Sequence, residues 1–353
     1  QLTLEILLKM FKISYDKVLI VKWRKDIIMF TKKTFSPYHI LFSRQLNLLD
    51  FECEKPLENC LNRQSKNGNI ELSGNHMLLY AEKVYNYAKA CLNDYSNYFS
   101  NHLYTQPKLF TILALKMYSK MTYREIIEWM QLSDKLLKFL RLKTVPHYTT
   151  IQKFFKRISE TSFKELNKKI LSKFTLIGGN IALDGSGFTN DYADKYFAKI
   201  RRKERKSYVK NHIAINVNTQ LILDYQVQRG PRHDTHFAKQ SIRNIKIYKP
   251  HYIIADKAYD TEPIRKCINE EVGAFDQIPL KTRAKNGHYR TNSPTIFRPK
   301  IYRKRNNIEC VFSVVKRKFN GTNHSRSLKL SNKETKLKNT FYNFYRSTKI
   351  PQK

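Results

Sequence analysis

His251-Tyr-Ile-Ile-Ala-Asp256 is a short apolar run that stops at an acid. A helix-like stretch follows at 261–271, with Pro263 early enough to be tolerated in a first turn, and then a short strand-like run at 275–280. Upstream, past the Gly178-Gly179 turn, lies a counterpart, Ile181-Ala-Leu-Asp184, which also ends in an acid. Between the two, 212–217 and 221–227 read as strands joined in a hairpin at Asn218-Thr-Gln220. Asp234 then stands where it can cap a helix running to about Asn244. Strands alternating with helices in this way predict an α/β domain with a mixed sheet.

Downstream, Tyr302-Arg-Lys-Arg-Asn-Asn-Ile-Glu309-Cys-Val-Phe-Ser-Val-Val-Lys316 has a helical pattern. At 3.6 residues per turn, and with Glu309 at zero, Tyr302 falls at about +20°, Arg305 at about −40° and Lys316 at about −20°. Ile308, Val311, Phe312 and Val315 form a separate apolar face that should be buried. A surface helix with an Arg305–Glu309 ion pair is the plain reading. A carboxylate flanked by two cations and a phenol, on a helix anchored by its other side, is also the make-up of a site, and these residues alone favour the plain reading. Cys310 lies about 100° from Glu309, where packing in the core is its expected role.

In an open α/β sheet ligands gather at the carboxyl ends of strands, so Asp184 and Asp256 are expected at one sheet edge. Each alone is most often a turn or cap residue. With Glu309 they make three carboxylates, which repel one another unless a cation sits between them. Hard oxygen ligands favour Mg²⁺, with Mn²⁺ as a substitute. Two such ions about 3.5–4 Å apart can activate a water or a 3′-hydroxyl and stabilise a leaving phosphodiester oxygen. His233, Asp234 and His236 could approach such ions, but capping and packing are their expected roles.

The chain has 353 residues, 41% hydrophobic, with a net charge of +37. That length holds more than one domain, and that composition excludes wholesale disorder. Codon bias towards lysine does not account for only 29 acidic residues. The excess points to a polyanionic partner, nucleic acid ahead of an anionic membrane. Five scattered cysteines without paired spacing argue against a disulfide framework or a zinc site and for a reducing compartment. No apolar run is long enough to span a membrane, so none is expected as a partner.

Residues 1–70 carry no recognisable chemistry, and Asn62-Arg-Gln-Ser-Lys-Asn-Gly-Asn69 reads as a linker. Residues 71–175 form a helical region. Thr122-x-x-Glu125 is a capping box, Ser133-Asp134 can cap the next helix, and Thr149 a third with Lys153, Lys156 and Arg157 on its open face. A basic last helix fits either a DNA reader or a plain bundle. Residues 176–353 hold the α/β domain and end in a helix opened by Ser331-x-x-Glu334. The basic run at 199–210, with Lys281, Arg283 and Lys285, is expected to track a DNA backbone.

The Y-(2)-R-(3)-E-(6)-K spacing of Tyr302, Arg305, Glu309 and Lys316 resembles the signature of insertion-sequence DDE transposases of families four and five. Asp184-Gly-Ser-Gly-Phe188 and Ala255-Asp-Lys-Ala-Tyr-Asp260 are similar to that family's first- and second-aspartate motifs, with Ala258 where a glycine is usual. If that backbone had a positive φ, Ala258 would be strained. Lys210-Asn-His-Ile-Ala-Ile-Asn-Val-Asn-Thr219, Arg229-Gly-Pro-Arg-His-Asp234, Asn320-Gly321 and Tyr342-Asn343 also match, so the resemblance covers about 120–346. It implies a ribonuclease-H-like catalytic domain behind a helical DNA-binding region. It implies Asp184, Asp256 and Glu309 as catalytic metal ligands, with Tyr302, Arg305 and Lys316 on DNA, joined by Arg201, Arg202 and Lys257. The expected partners are double-stranded DNA, both terminal repeats and target, and a second copy at synapsis. The expected setting is the nucleoid of a prokaryote. Rival readings are a nuclease that cuts without joining and an inactive DNA-binding remnant.

Overall fold

The computed structural model describes residues 75–190, 208–230, 233–282 and 286–351. By its internal contacts the chain divides after Gly74, and Asn75–Lys353 is one compact unit. Cys53, Cys60, Arg201, Arg202, Arg283 and Lys285 lie outside the described residues.

Among the described residues six helices come first: α1 (His76–Cys91), α2 (Gln106–Tyr118), α3 (Tyr123–Gln131), α4 (Asp134–Leu140), α5 (Tyr148–Arg157) and α6 (Glu160–Leu171). The α3 capping box forms as expected: the Glu125 N–H donates to Thr122 Oγ1 at 3.2 Å and the Thr122 N–H to Glu125 Oε2 at 2.8 Å. Helix α5 starts two residues early, with His147 in place of Thr149 as its cap residue, and the Thr149 hydroxyl bonds the His147 ring at 2.8 Å instead of the backbone. Its Ile151, Phe154 and Phe155 are buried, and Lys153, Lys156 and Arg157 are exposed.

The α/β part runs β1 (Ile181–Asn190), β2 (Tyr208–Asn216), β3 (Ile222–Arg229), α7 (Thr235–Ile245), β4 (Tyr252–Ala255), α8 (Glu262–Lys266), β5 (Phe275–Gln277), α9 (His288–Ile296), α10 (Pro299–Tyr302), α11 (Asn306–Phe319), β6 (Thr322–Asn323) and α12 (Leu328–Ser347). The sheet order is β3-β2-β1-β4-β5, with β6 beside the far end of β1. Strands β1, β2 and β3 pair antiparallel, while β4 is parallel to β1 and β5 to β4. Helices cover both faces, because neighbouring residues of a strand point opposite ways. On β2, Asn211 meets Asn339 of α12, while His212 meets Ser241 of α7. This is the α/β architecture expected, a mixed sheet flanked by helices with a helical region ahead of it.

Helix α12 docks through buried amides. Asn339 and Asn211 exchange two hydrogen bonds of 2.9 Å, and Asn343 bonds both backbone groups of Ile222, at 2.9 and 2.7 Å. The same helix packs on α1, α2 and α6, so the helical region shares its core with the sheet instead of standing apart at 175/176. Helix α12 starts earlier than its sequence pattern suggested, at Leu328, with Ser327 as cap. Ser331 and Glu334 are buried inside the helix, bonding Asn190 and Ser325. At 261–271 a five-residue helix gives way to a wider π-type turn over Cys267–Val272.

Candidate active site

Asp256 follows the last residue of β4, as its sequence context predicts. Asp184 differs. Its strand continues to Asn190, and what stops beside it is the parallel ladder, whose last pair is Leu183↔Ala255. Asp184 and Asp256 therefore follow paired positions on strands spaced about 4.8 Å apart. Each is aimed the same way: Asp184 Oδ1 accepts the Gly185 N–H at 2.7 Å, and Asp256 Oδ1 accepts the Lys257 N–H at 2.6 Å. Lys257–Tyr259 is a short 3₁₀ turn, and Ala258 is not among the described residues with positive φ, so the missing glycine costs no strain there.

The third acid arrives on α11. The expected single helix from Tyr302 is in fact α10, a 3₁₀ turn at Arg303–Arg305, and α11. The trace stays helical throughout, so the shared face survives. Ile308, Val311, Phe312 and Val315 are buried, while Cys310 is exposed, contrary to its expected packing role. The wheel explains why: the apolar stripe centres near −110° from Glu309, and Cys310 at about +100° lies opposite it.

Arg305 joins the acids. Its Nη1 donates to Asp184 Oδ2 at 3.0 Å, and its Nη2 donates to Glu309 Oε1. Two carboxylates 125 positions apart in the chain thus share one guanidinium. Tyr302 shares the field of Arg305, Asp256 and Asp184, and its ring packs on Phe297, centroids 5.4 Å apart. Lys316 Nζ donates to Ser186 Oγ at 2.8 Å and lies 5.4 Å over the Phe188 ring. Asp184, Ser186 and Phe188 alternate along β1 and so share one face, which is how Lys316 reaches the acids' side of the sheet. Burial lowers the Lys316 ammonium from its usual value. Burial raises the Asp184 carboxyl, outweighing the Gly185 N–H and Arg305, and Asp234 and Asp256 push the same way.

Two residues near the site had a different role in the sequence reading. Asp234 makes no cap bond to α7; it pairs with Lys210, 3.0 Å from Nζ to Oδ1. This pair fills the opposite face of β1, over Gly185, where an added Cβ would stand 2.1 Å from Asp234 Oδ1. The glycine after Asp184 is thus a packing requirement. The strand register brings it about, since Lys210 pairs with Gly187 and His212 with Gly185. His212 is buried and pushed down to about 3, by burial first and then by Lys210, so it stays neutral. Lys257 is exposed, and Lys281 donates to Ala258 O at 3.3 Å.

Among the described residues, no three His, Cys, Asp or Glu side chains stand close enough to hold one metal ion. The positive charge between Asp184 and Glu309 is the Arg305 guanidinium itself.

Residues 179–344 match the family model described as the transposase DDE domain. The matched segment runs from the turn before β1 into α12 and contains Asp184, Asp256, Glu309 and all four positions of the Y-R-E-K spacing. It is consistent with an insertion-sequence DDE transposase. No curated protein matches the chain. A cryo-EM structure of the piggyBac transposase synaptic complex with hairpin DNA is 10% identical, covers 78% of this chain and 75% of that chain, and has a TM-score of 0.40. No helix among the described residues is long and apolar enough to cross a membrane.

Proposed function

We propose that the protein is a DNA transposase that cuts the ends of a mobile element and joins a 3′-hydroxyl to target DNA. One observation carries the reading: Arg305 bonds Asp184 and Glu309 together, inside the segment that matches the DDE family. Hard carboxylate oxygens fit Mg²⁺ or Mn²⁺, and Asp184, Asp256 and Glu309 would hold such ions once Arg305 gives up its bonds to Asp184 and Glu309. Bound there, such ions would supply activation of a water or 3′-hydroxyl and charge neutralisation at the leaving oxygen.

The protein's own groups do the rest. Arg305 is 20% exposed, enough for its fork to turn from carboxylate to phosphate. Tyr302 offers a ring for stacking on a base beside the cut. Lys316, held on Ser186, supplies a fixed positive charge on the acids' side of β1. Arg201, Arg202 and Lys257 add backbone contacts, and two copies of the chain hold two ends.

The test is an assay with end-containing duplex and Mg²⁺ or Mn²⁺. Asp184→Asn and Glu309→Gln should each abolish cutting and joining while the variants stay folded and bind DNA. Parent-like activity in either variant removes the assignment. Cutting without joined products reduces it to a nuclease.

A further inference from the structure

On the flank of α11 turned away from Glu309, a cleft of about 510 Å³ opens between the end of α2, the end of α11 and α12. Its walls include Tyr118, Lys120, Arg317, Lys318 and Tyr345. Its chemistry is one-sided. Lys318 Nζ stands 5.4 Å over the Tyr118 ring and 5.9 Å over the Tyr345 ring, and Lys349 Nζ stands 5.2 Å over Tyr345 from outside. The two phenol rings are 6.0 Å apart. These ammonium groups are therefore held by ring faces, and no carboxylate of the described residues pairs with Lys120, Arg317, Lys318 or Lys349. Acids do serve that purpose a few turns away on α12, where Lys336 pairs with Glu160 and Lys338 with Glu334. The Ser119 hydroxyl, also on the wall, is buried and has no hydrogen-bond partner.

Basic residues at a helix C-terminus offset its dipole, which explains one or two charges near the end of α11. Lys120 and Lys349 stand just past the ends of α2 and α12, so the same effect favours a cation at each. It does not explain why these helix ends meet around an open cleft walled by Lys120, Arg317 and Lys318. Three like charges on the walls of the cleft, with Lys349 close by over Tyr345, repel one another until an anion enters. We infer that this cleft is a second phosphodiester-binding site, taking the backbone of DNA away from the carboxylates. Lys318 lies nine residues beyond Glu309, about 14 Å along the helix axis and on its far side. Duplex DNA carries a charge for about every 1.7 Å of axis, so a strand passing round the end of α11 offers a phosphate at that distance. The inference rests on the transposase reading only in naming DNA as the source of the phosphate.

The experiment uses the full chain and a labelled 30-base-pair duplex, titrated by fluorescence anisotropy across a range of salt. The double variant Arg317→Ser, Lys318→Ser should lower the salt slope by about 1.8, since each phosphate contact contributes about 0.9. Removing two equally exposed charges elsewhere, with Lys246→Gln and Lys249→Asn, should change it by far less. Photo-crosslinking with bromodeoxyuridine DNA should label Tyr118 or Tyr345 in the parent, and the label should vanish in the double variant. Equal slopes for the two double variants, without a crosslink at either tyrosine, overturn the inference. So does loss of the crosslink to millimolar inorganic phosphate at constant ionic strength, which would make the ligand a free anion. Cutting by the parent is scored in parallel, so failure of this cleft is separable from failure of the catalytic reading.

Discussion

Two arginines each bridge two carboxylates in this molecule, and they are built for opposite ends. Arg265 is fully buried: its Nε donates to Asp260 Oδ1 at 3.0 Å, its Nη1 to Asp276 and to Ser293 Oγ, and its Nη2 to Ile278 O at 2.8 Å. Arg290 and the Lys281 N–H complete the shell of Asp260. Arg305 makes its two ionic bonds at a surface where Glu309 is 56% exposed. The acids respond in opposite directions. Burial works against Asp260, yet the Lys281 N–H, Arg265 and Arg290 outweigh it and hold its carboxyl below the usual range. At Asp184 burial wins, and its carboxyl is raised despite Arg305. A closed network ties the α8–β5 corner together. An open one leaves its acids under-satisfied, which is what a site that must accept other cations requires.

The largest effect that could break this contrast is on folding. Arg265→Met strands two buried carboxylates and should cost about 3–5 kcal/mol in urea unfolding. Arg305→Gln should cost no more than about 1 kcal/mol, because its pairs are solvent-screened, while strand cutting falls by about 100-fold or more, at about 1.4 kcal/mol of transition-state contact per tenfold. Equal losses of stability in the two variants would erase the distinction.

A second measurement sharpens it. If the guanidinium holds the place of a cation, Arg305→Gln should bind Mn²⁺ more tightly than the parent, several-fold by titration of the free-ion EPR signal. Arg265→Met, examined where it is still folded, should leave Mn²⁺ binding unchanged.

The two arginines were not separable by residue pattern alone. Arg305 stood out because Glu309 follows it by four residues and a fixed spacing surrounds it. Arg265 has no such mark, since its partners Asp276, Ser293 and Ile278 come from segments that only the fold gathers. The same limit applies at the site. The succession of strands and helices along the chain, the positions of both aspartates after apolar runs and the buried stripe of α11 were legible, because apolar runs and helical periodicity are local; the order of strands in the sheet was not. The Lys210–Asp234 pair was not, because it depends on register across β1 and on a glycine leaving room beneath. Likewise Ser331 and Glu334 have the look of a capping box, yet burial against Asn190 and Ser325 takes both side chains for the interior.

Acid titration should separate the two networks more gently. A carboxyl whose folded value is lowered binds fewer protons folded than unfolded, so Asp260 adds stability above its unfolded value of about 3.9. That contribution is lost as pH falls through the folded value. The parent's urea midpoint should therefore drop between pH 5 and pH 2.5, and Arg265→Met should flatten the drop. An undiminished drop in the variant would locate the sensitive acid elsewhere.

The smallest expected effect is at the rim. Lys257 is exposed beside Asp256, and Lys257→Gln should lower the salt slope of DNA binding by about 0.9 with no change in unfolding midpoint. A slope that does not move would place the DNA away from that edge.

The packing of α12 also bears on how the chain is made. Phe110 of α2 lies against Phe341 and Phe344, and Asn167 of α6 receives a hydrogen bond from Asn343, so residues synthesised early wait for partners more than 170 positions later. Helices α1 to α6 emerge from the ribosome with that side uncovered, and the sheet emerges next with Asn211 and Ile222 unmet. Neither half can close over its interior until 328–347 have been translated. A shortened reading frame that stops before this helix would therefore leave both halves without a finished core, not a working DNA-binding half.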